Sequence, residues 1–107
     1  KGNAFFAQGK YTQAAKAYIE MSSLDPGNFT HLENAGICFY AGKRFVESLI
    51  YFAKSEQHPG NNSGKSAYFA GMSQLSIGKK QEACASFQRS KAKGYPDAAA
   101  AISQNCK

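Results

Sequence analysis

Three cysteines and two histidines are the side chains of this 107-residue chain that could do covalent or metal chemistry. Cys38, Cys84 and Cys106 stand far apart in the sequence, without the paired spacing of structural zinc sites. His31 precedes Cys38 on the same predicted helix, which would allow a thiol–imidazole pair, but the thiol is better explained as a small buried hydrophobe. We therefore expect no metal site, no cofactor and no catalytic residue.

The segment 59–66, with the sequence Pro-Gly-Asn-Asn-Ser-Gly-Lys-Ser, looks like a phosphate-binding loop. That motif begins with a glycine where this chain has Pro59, and it follows a strand, whereas residues 50–57 have a helical pattern. We expect neither a nucleotide site nor a small-molecule substrate, and the chain is not predicted to be an enzyme.

A pattern of glycine, aromatic and small residues returns three times, beginning at Gly9, Gly42 and Gly78. Its second copy matches the first with one inserted residue. A helical stretch with an earlier glycine precedes each copy, and Gly36 and Gly71 are two of these glycines. We interpret them as positions where paired helices approach closely.

Apolar residues at helical spacing, separated by glycines and by prolines that cannot lie inside a helix, predict seven short helices. The predicted spans are 1–8, 11–23, 29–41, 44–56, 64–77, 80–92 and 96–105. The last begins with Pro96 and Asp97, which suit a first helical turn. Because the chain opens without Met inside a helical pattern, we expect it to be a fragment.

The spacing of the copies resembles that of the tetratricopeptide repeat, a helix-turn-helix unit of about 34 residues. The stretch 24–28, Leu-Asp-Pro-Gly-Asn, is close to the family's Asp-Pro-Asn-Asn link, and the resemblance covers nearly the whole chain. It implies an all-α, right-handed superhelical stack of antiparallel helix pairs in a single domain, 1–107. Its parts would be a truncated repeat 1 at 1–28, repeat 2 at 29–61, repeat 3 at 62–95 and a capping helix at 96–106.

In this family the first helix of each pair lines a concave groove that binds another protein segment. The resemblance carries this role over to Asn3, Phe6, Thr30, Glu33, Asn34, Ile37, Tyr40, Lys65, Tyr68, Phe69 and Met72. Aromatic side chains facing solvent on a curved surface are typical of a binding site. The expected function is a non-enzymatic protein–protein interaction scaffold for a peptide or partner segment. Missing N-terminal residues or a further helix of the same chain could instead fill the groove.

Two ligand classes fit that groove. Asn3, Asn34 and Lys65 match positions of the carboxylate clamp by which some members of the family hold acidic chaperone C-termini. Phe69, however, stands where the clamp has an arginine, which favours an apolar or mixed peptide. The alternative function is that of a three-repeat chaperone of type III secretion, which holds an extended segment of a translocator.

Cationic residues fall in the predicted turns between the two helices of each repeat, and stacking would align them in a basic ridge. They are Lys10, Lys43, Arg44, Lys79 and Lys80. With a net charge of +6, such a ridge could meet anionic lipid, nucleic acid or an acidic protein, or it could be a solvated edge. We expect a protein or peptide partner rather than nucleic acid.

Cys84 and Cys106 lie at similar distances from the predicted turn at 93–95, on helices that would run antiparallel. They should therefore stand at similar heights and could touch. A disulfide would pin the capping helix and imply an exported protein, whereas reduced thiols would lie in the core of a cytoplasmic one. No apolar run approaches the ~20 residues that cross a bilayer, so we expect a soluble protein.

Overall fold

The computed structural model describes residues 10–61 and 63–106. These residues form six α-helices and no strand: α1 Tyr11–Leu24, α2 Thr30–Ala41, α3 Phe45–Gln57, α4 Lys65–Ser76, α5 Lys80–Ala92 and α6 Pro96–Asn105. Each helix begins and ends within one residue of its predicted span. The predicted helix 1–8 lies outside the described residues.

The helices form a right-handed superhelical stack in which each helix packs against the next along the chain. α2 pairs with α3 and α4 pairs with α5, and α2 also contacts α4. The first helices of two successive pairs therefore lie side by side on one face. α6 packs on α5, and its first residue is Pro96, as the sequence predicts.

The turns inside the two complete pairs have the same backbone hydrogen bonds. At the end of α2, the N–H groups of Lys43 and Arg44 donate to carbonyl groups of the last turn at 3.0 and 2.8 Å. Gly78 and Lys79 make the equivalent bonds at the end of α4, at 3.1 and 2.8 Å. This is the Schellman arrangement, which requires a left-handed residue, and φ is 64° at Lys43 and 79° at Gly78. Lys43 is thus the equivalent of Gly78, and the match of Gly42 to Gly78 is off by one residue.

Each complete pair is held by a phenylalanine that lies directly against a glycine of the partner helix. Phe52 of α3 and Phe87 of α5 are fully buried. A Cβ atom built on Gly36 would lie 2.7 Å from the ring of Phe52, and one on Gly71 would lie 2.5 Å from the ring of Phe87. The interpretation of both glycines as close-packing positions is therefore correct.

Small polar side chains fill the other tight helix contacts. Six serines are buried: Ser48, Ser55, Ser66, Ser73, Ser86 and Ser90. The hydroxyl groups of Ser48 and Ser73 are hydrogen bonded across α3 and α4 at 2.8 Å, and Ser90 donates to the carbonyl oxygen of Gly64 at 2.8 Å. Because each hydroxyl is satisfied, these contacts bring the helices close without leaving a buried polar group unpaired.

Candidate functional site

A row of aromatic rings runs across the face formed by α2, α4 and the start of α6. Tyr40 meets Phe69 edge to face at 5.6 Å between ring centroids. Phe69 meets Tyr68 at 5.2 Å, and Tyr68 meets Tyr95 at 5.1 Å. These four half-buried rings form one continuous row across three helical segments.

Buried rings beneath this row fix its position. Phe69 stacks on the fully buried Phe52 at 6.2 Å, and Tyr68 contacts the fully buried Phe87 at 5.8 Å. Edge and stacked contacts of this kind stabilise ring pairs beyond their buried area. The exposed edges of the row are therefore presented by a rigid support, which lowers the entropic cost of binding a ligand.

Glu33 lies elsewhere than the sequence predicts. Its side chain is only 5% exposed, and the Ser66 hydroxyl donates to its Oε2 atom at 2.8 Å. α4 lies over α2 at this point and covers the carboxylate. Glu33 is therefore a packing residue between two helices and does not line the surface of the groove.

The other predicted groove residues fall at different depths. Thr30 is exposed at the start of α2, where its N–H donates to Asn28 Oδ1 at 3.0 Å. Half-buried positions on α2 and α4 are occupied by Asn34, Ile37, Lys65 and Met72. The two remaining residues, Asn3 and Phe6, lie outside the described residues.

A pocket of about 420 Å³ continues the aromatic row between α4 and α6. Its lining is Tyr68, Met72, Leu75, Asp97, Ala100, Ala101, Gln104 and Asn105. Sequence reasoning found Tyr68 and Met72 but treated α6 only as a cap and Asp97 only as a helix start. Residues 97, 100, 101 and 104 share one face of α6, and this period could have indicated a lining face.

Burial and neighbouring ionisable groups raise the pKa values of two phenol groups in this region. Burial is the main cause that raises the pKa of Tyr68, and the Asp97 carboxylate and Tyr40 add to it. Burial likewise raises the pKa of Tyr95, with smaller contributions from Asp97, Tyr68 and Glu33. Asp97 therefore acts on both rings at the mouth of the pocket.

Three residues of the predicted basic ridge directly precede a helix: Lys10 before α1, Arg44 before α3 and Lys79 before α5. Lys10, Arg44 and Lys79 have nearly the same backbone, with φ/ψ of −92°/66°, −97°/71° and −97°/67°. A cation at a helix N-terminus opposes the helix dipole. Glu47 and Glu82 in the first turns offset this, since Arg44 Nε donates to Glu47 at 2.7 Å and Lys79 Nζ lies 3.7 Å from Glu82.

Two further members of the ridge, Lys43 and Lys80, are exposed. Lys43 lies in the turn after α2, and Lys80 is the first residue of α5. Because two of the five cations already have carboxylate partners, the ridge offers less free positive charge than its sequence suggests.

The structure joins Cys84 of α5 to Cys106 in a disulfide, with the two Cα atoms 5.7 Å apart. Cys38 is a buried free thiol in the core beside Tyr18, and burial raises its pKa to about 11. His31 does not pair with it but lies 3.4 Å from Asp25. Burial of this kind keeps the Cys38 thiol in its protonated, less reactive form at neutral pH.

The remaining features weighed in the sequence can be placed as well. Residues 50–57 belong to α3, so the segment 59–66 follows a helix and not the strand of a phosphate-binding loop. In the part of the chain that the structure describes, no group of three or more His, Cys, Asp or Glu side chains could hold a metal ion. None of the described helices is long and apolar enough to cross a membrane.

The stack of antiparallel helix pairs with an aromatic inner face defines a helical-repeat protein. The chain belongs to the tetratricopeptide repeat family, whose members are non-enzymatic interaction modules: residues 1–62 and residues 67–98 each match a family described as Tetratricopeptide repeat. Together the two matches support about three repeats. No curated protein matches the chain.

Solved structures with the same fold share little sequence with the chain. PcrH, in complex with the chaperone binding region of PopD, is 18% identical with a TM-score of 0.77, over 86% of this chain and 68% of that one. The first TPR of Spaghetti (RPAP3), bound to the HSP90 peptide SRMEEVD, is 20% identical with a TM-score of 0.85, over 98% and 84%. The N-terminal domain of stress-induced protein-1 (STI-1) from C. elegans is 22% identical with a TM-score of 0.86, over 99% and 89%.

Proposed function

We propose that this protein is a non-enzymatic interaction module that binds a peptide or an extended segment of a partner protein along the face formed by α2, α4 and α6. The observation that carries this proposal is the aromatic row from Tyr40 to Tyr95, whose half-buried rings are fixed from beneath by Phe52 and Phe87. Rigid aromatic surface of this kind is typical of binding hot spots.

Two of the neighbouring structures support a segment as the ligand, because each was determined with a bound peptide or binding region. They differ in what they hold: the Spaghetti ligand, SRMEEVD, has an acidic end, whereas PcrH holds the chaperone binding region of PopD. Phe69 packs within the aromatic row at the position where the clamp of the family has an arginine. An apolar or mixed segment fits this surface better than an acidic tail, and a secretion-type chaperone role is the second candidate for that reason.

A role as a basic surface module has weaker support. Arg44 and Lys79 are each paired with a glutamate of the following helical turn. Exposed pairs of this kind contribute little stability but reduce the net charge that an anionic surface would meet. We therefore place the binding function on the inner face.

Capture of partners with a matched pair of variants tests this assignment. Ile37 lies on the α2 groove face, one turn from Tyr40, and Ile50 lies on α3 with 49% of its surface exposed. The same change, Ile37→Lys or Ile50→Lys, places a cation on either side of the stack. Immobilised wild type and both variants would be exposed to an extract of the source organism, and retained proteins would be identified by mass spectrometry.

We expect Ile37→Lys to lose the specific partner and Ile50→Lys to retain it, with equal helical signals in far-ultraviolet circular dichroism. Loss of the partner in Ile50→Lys alone would place the binding surface on the outer helices. If binding falls steeply with salt and survives both changes, the basic ridge is the binding surface.

A further inference from the structure

The pocket between α4 and α6 is lined by apolar and polar side chains in similar measure. Met72, Leu75 and Ala101 also pack against the core around Phe87, so the inner wall is apolar and supported. Asp97 lies at one end, and Gln104 and Asn105 lie at the other. A volume of about 420 Å³ is near the lower end of ligand pockets, which is enough for one or two side chains of a bound segment.

Asp97 brings a negative charge to this pocket. It is exposed, and within the described ranges 10–61 and 63–106 all ion pairs are made by other residues. Tyr68 lines the same pocket as Asp97, and the faces of aromatic rings attract cations. A cation at the mouth of the pocket would therefore meet a carboxylate and an aromatic ring.

The charge of the pocket is opposite in sign to the net charge of the whole chain. A net charge of +6 favours acidic ligands at long range, whereas Asp97 favours a basic one at contact distance. Lys65, at the start of α4, is the cation predicted to lie on the same groove face. A bound segment with a basic residue near the pocket would indicate the influence of Asp97, and one with an acidic residue would indicate that of Lys65.

We infer that this pocket holds an aliphatic side chain of the bound segment and that Asp97 pairs with a lysine or arginine close to it in that segment. The inference rests on the proposed function and names the ligand chemistry of the same groove. The aliphatic group lies against Met72 and Leu75, and the cation lies at the mouth between the Asp97 carboxylate and the Tyr68 ring.

A peptide library measures this preference whatever the natural partner is. The probe is an equimolar mixture of ten-residue peptides, acetylated and amidated, with leucine fixed at position five and all residues except cysteine randomised elsewhere. Peptides retained by the immobilised 107-residue protein in 150 mM salt are identified by mass spectrometry. We expect lysine and arginine within two positions of the leucine to be enriched about threefold over the input.

Variants at Asp97 supply the decisive comparison. Asp97→Asn removes the enrichment of basic residues, and Asp97→Lys replaces it with enrichment of aspartate and glutamate. Glu20→Gln, which removes an exposed carboxylate on α1, leaves the basic preference unchanged. Because Asp97 also lies in the first turn of α6, helical content is measured for each variant, and a purely structural role would lower retention without changing the preferred charge.

The outcomes distinguish this inference from the proposed function. Retention of leucine peptides with no charge preference overturns the role of Asp97 and leaves the groove intact. Enrichment of acidic residues in the wild type assigns the charge preference to Lys65 instead. Failure of the wild type to retain any peptide above a blank support contradicts both the inference and the proposed function.

Discussion

The ring of Phe87 lies so close to Gly71 that a Cβ atom on this glycine would be 2.5 Å from the ring's Cε1 atom. Phe52 has the same relation to Gly36, one helix pair earlier in the stack. Each glycine belongs to the helix that lines the inner face, and each phenylalanine supports the aromatic row from beneath. The close packing of glycine and phenylalanine inside each helix pair therefore fixes the position of the aromatic row above it.

Gly71→Ala is expected to destabilise the protein by about 1–3 kcal/mol, because the fully buried Phe87 has no room to move away. The better helix propensity of alanine, worth about 1 kcal/mol, offsets only part of this. Urea denaturation measures the change, and Phe87→Leu in the same chain should recover part of it. Gly27→Ala is the control, since no atom lies within 4 Å of a Cβ at Gly27; equal effects of the two changes would contradict the packing described.

Lys43→Gly should stabilise the protein by about 0.5–1 kcal/mol, because Lys43 has a left-handed backbone with φ of 64° that glycine adopts without steric cost. Thermal unfolding measures the gain. Lys43→Ala removes the same charge but keeps a Cβ atom, so it should give no comparable gain. A higher stability of the alanine variant would show that charge, and not backbone conformation, governs this turn.

The helices were predictable because their boundaries depend on local signals. Pro26, Pro59 and Pro96 separate the units, and glycines mark the turns, so each helix is defined by residues within or next to it. The exact register of the repeats was harder to predict. In the turn between α2 and α3 the left-handed residue is Lys43 and not a glycine. The neighbouring Gly42 was therefore matched to Gly78, which shifts the register by one residue.

Depth in the groove depends on long-range packing and was predictable only in part. The period of α2 places Glu33 on the inner face, but the position of α4, fixed by Ser66 and its neighbours, decides that the carboxylate is covered. The pocket beside Asp97 lies between α4 and α6, and it depends on the packing of α6 on α5. Neither the burial of Glu33 nor the presence of this pocket can be predicted from the period of one helix.

The disulfide between Cys84 and Cys106 should stabilise the chain by about 3 kcal/mol, since it closes a loop with a sequence separation of 22. Cys84→Ser with Cys106→Ser should lower the urea midpoint accordingly, and a reducing agent should lower that of the wild type alone. Thiol titration of the unfolded chain in the absence of reductant checks the bond directly. One reactive thiol, that of Cys38, is expected, and three would contradict the disulfide.

Cys38 should give the protein a specific loss of stability at high pH. Burial raises the pKa of its thiol from 9.0 to about 11 in the folded chain. Between these values the unfolded chain releases the proton while the folded chain holds it, so stability is complete below pH 9 and falls as the pH rises to about 11. Urea unfolding of wild type and Cys38→Ala at pH 7 to 10.5 measures this; parallel pH profiles of the two proteins would contradict it.

The inner face is tested most directly by nuclear magnetic resonance of the ¹⁵N-labelled protein with a peptide that the leucine library yields. Bound peptide should shift amide signals of α2, α4 and α6, among them those of Ile37, Phe69 and Met72, and leave Val46 and Ile50 on α3 unchanged. Shifts centred on Val46 and Ile50, or none at saturating peptide, would contradict binding along this face.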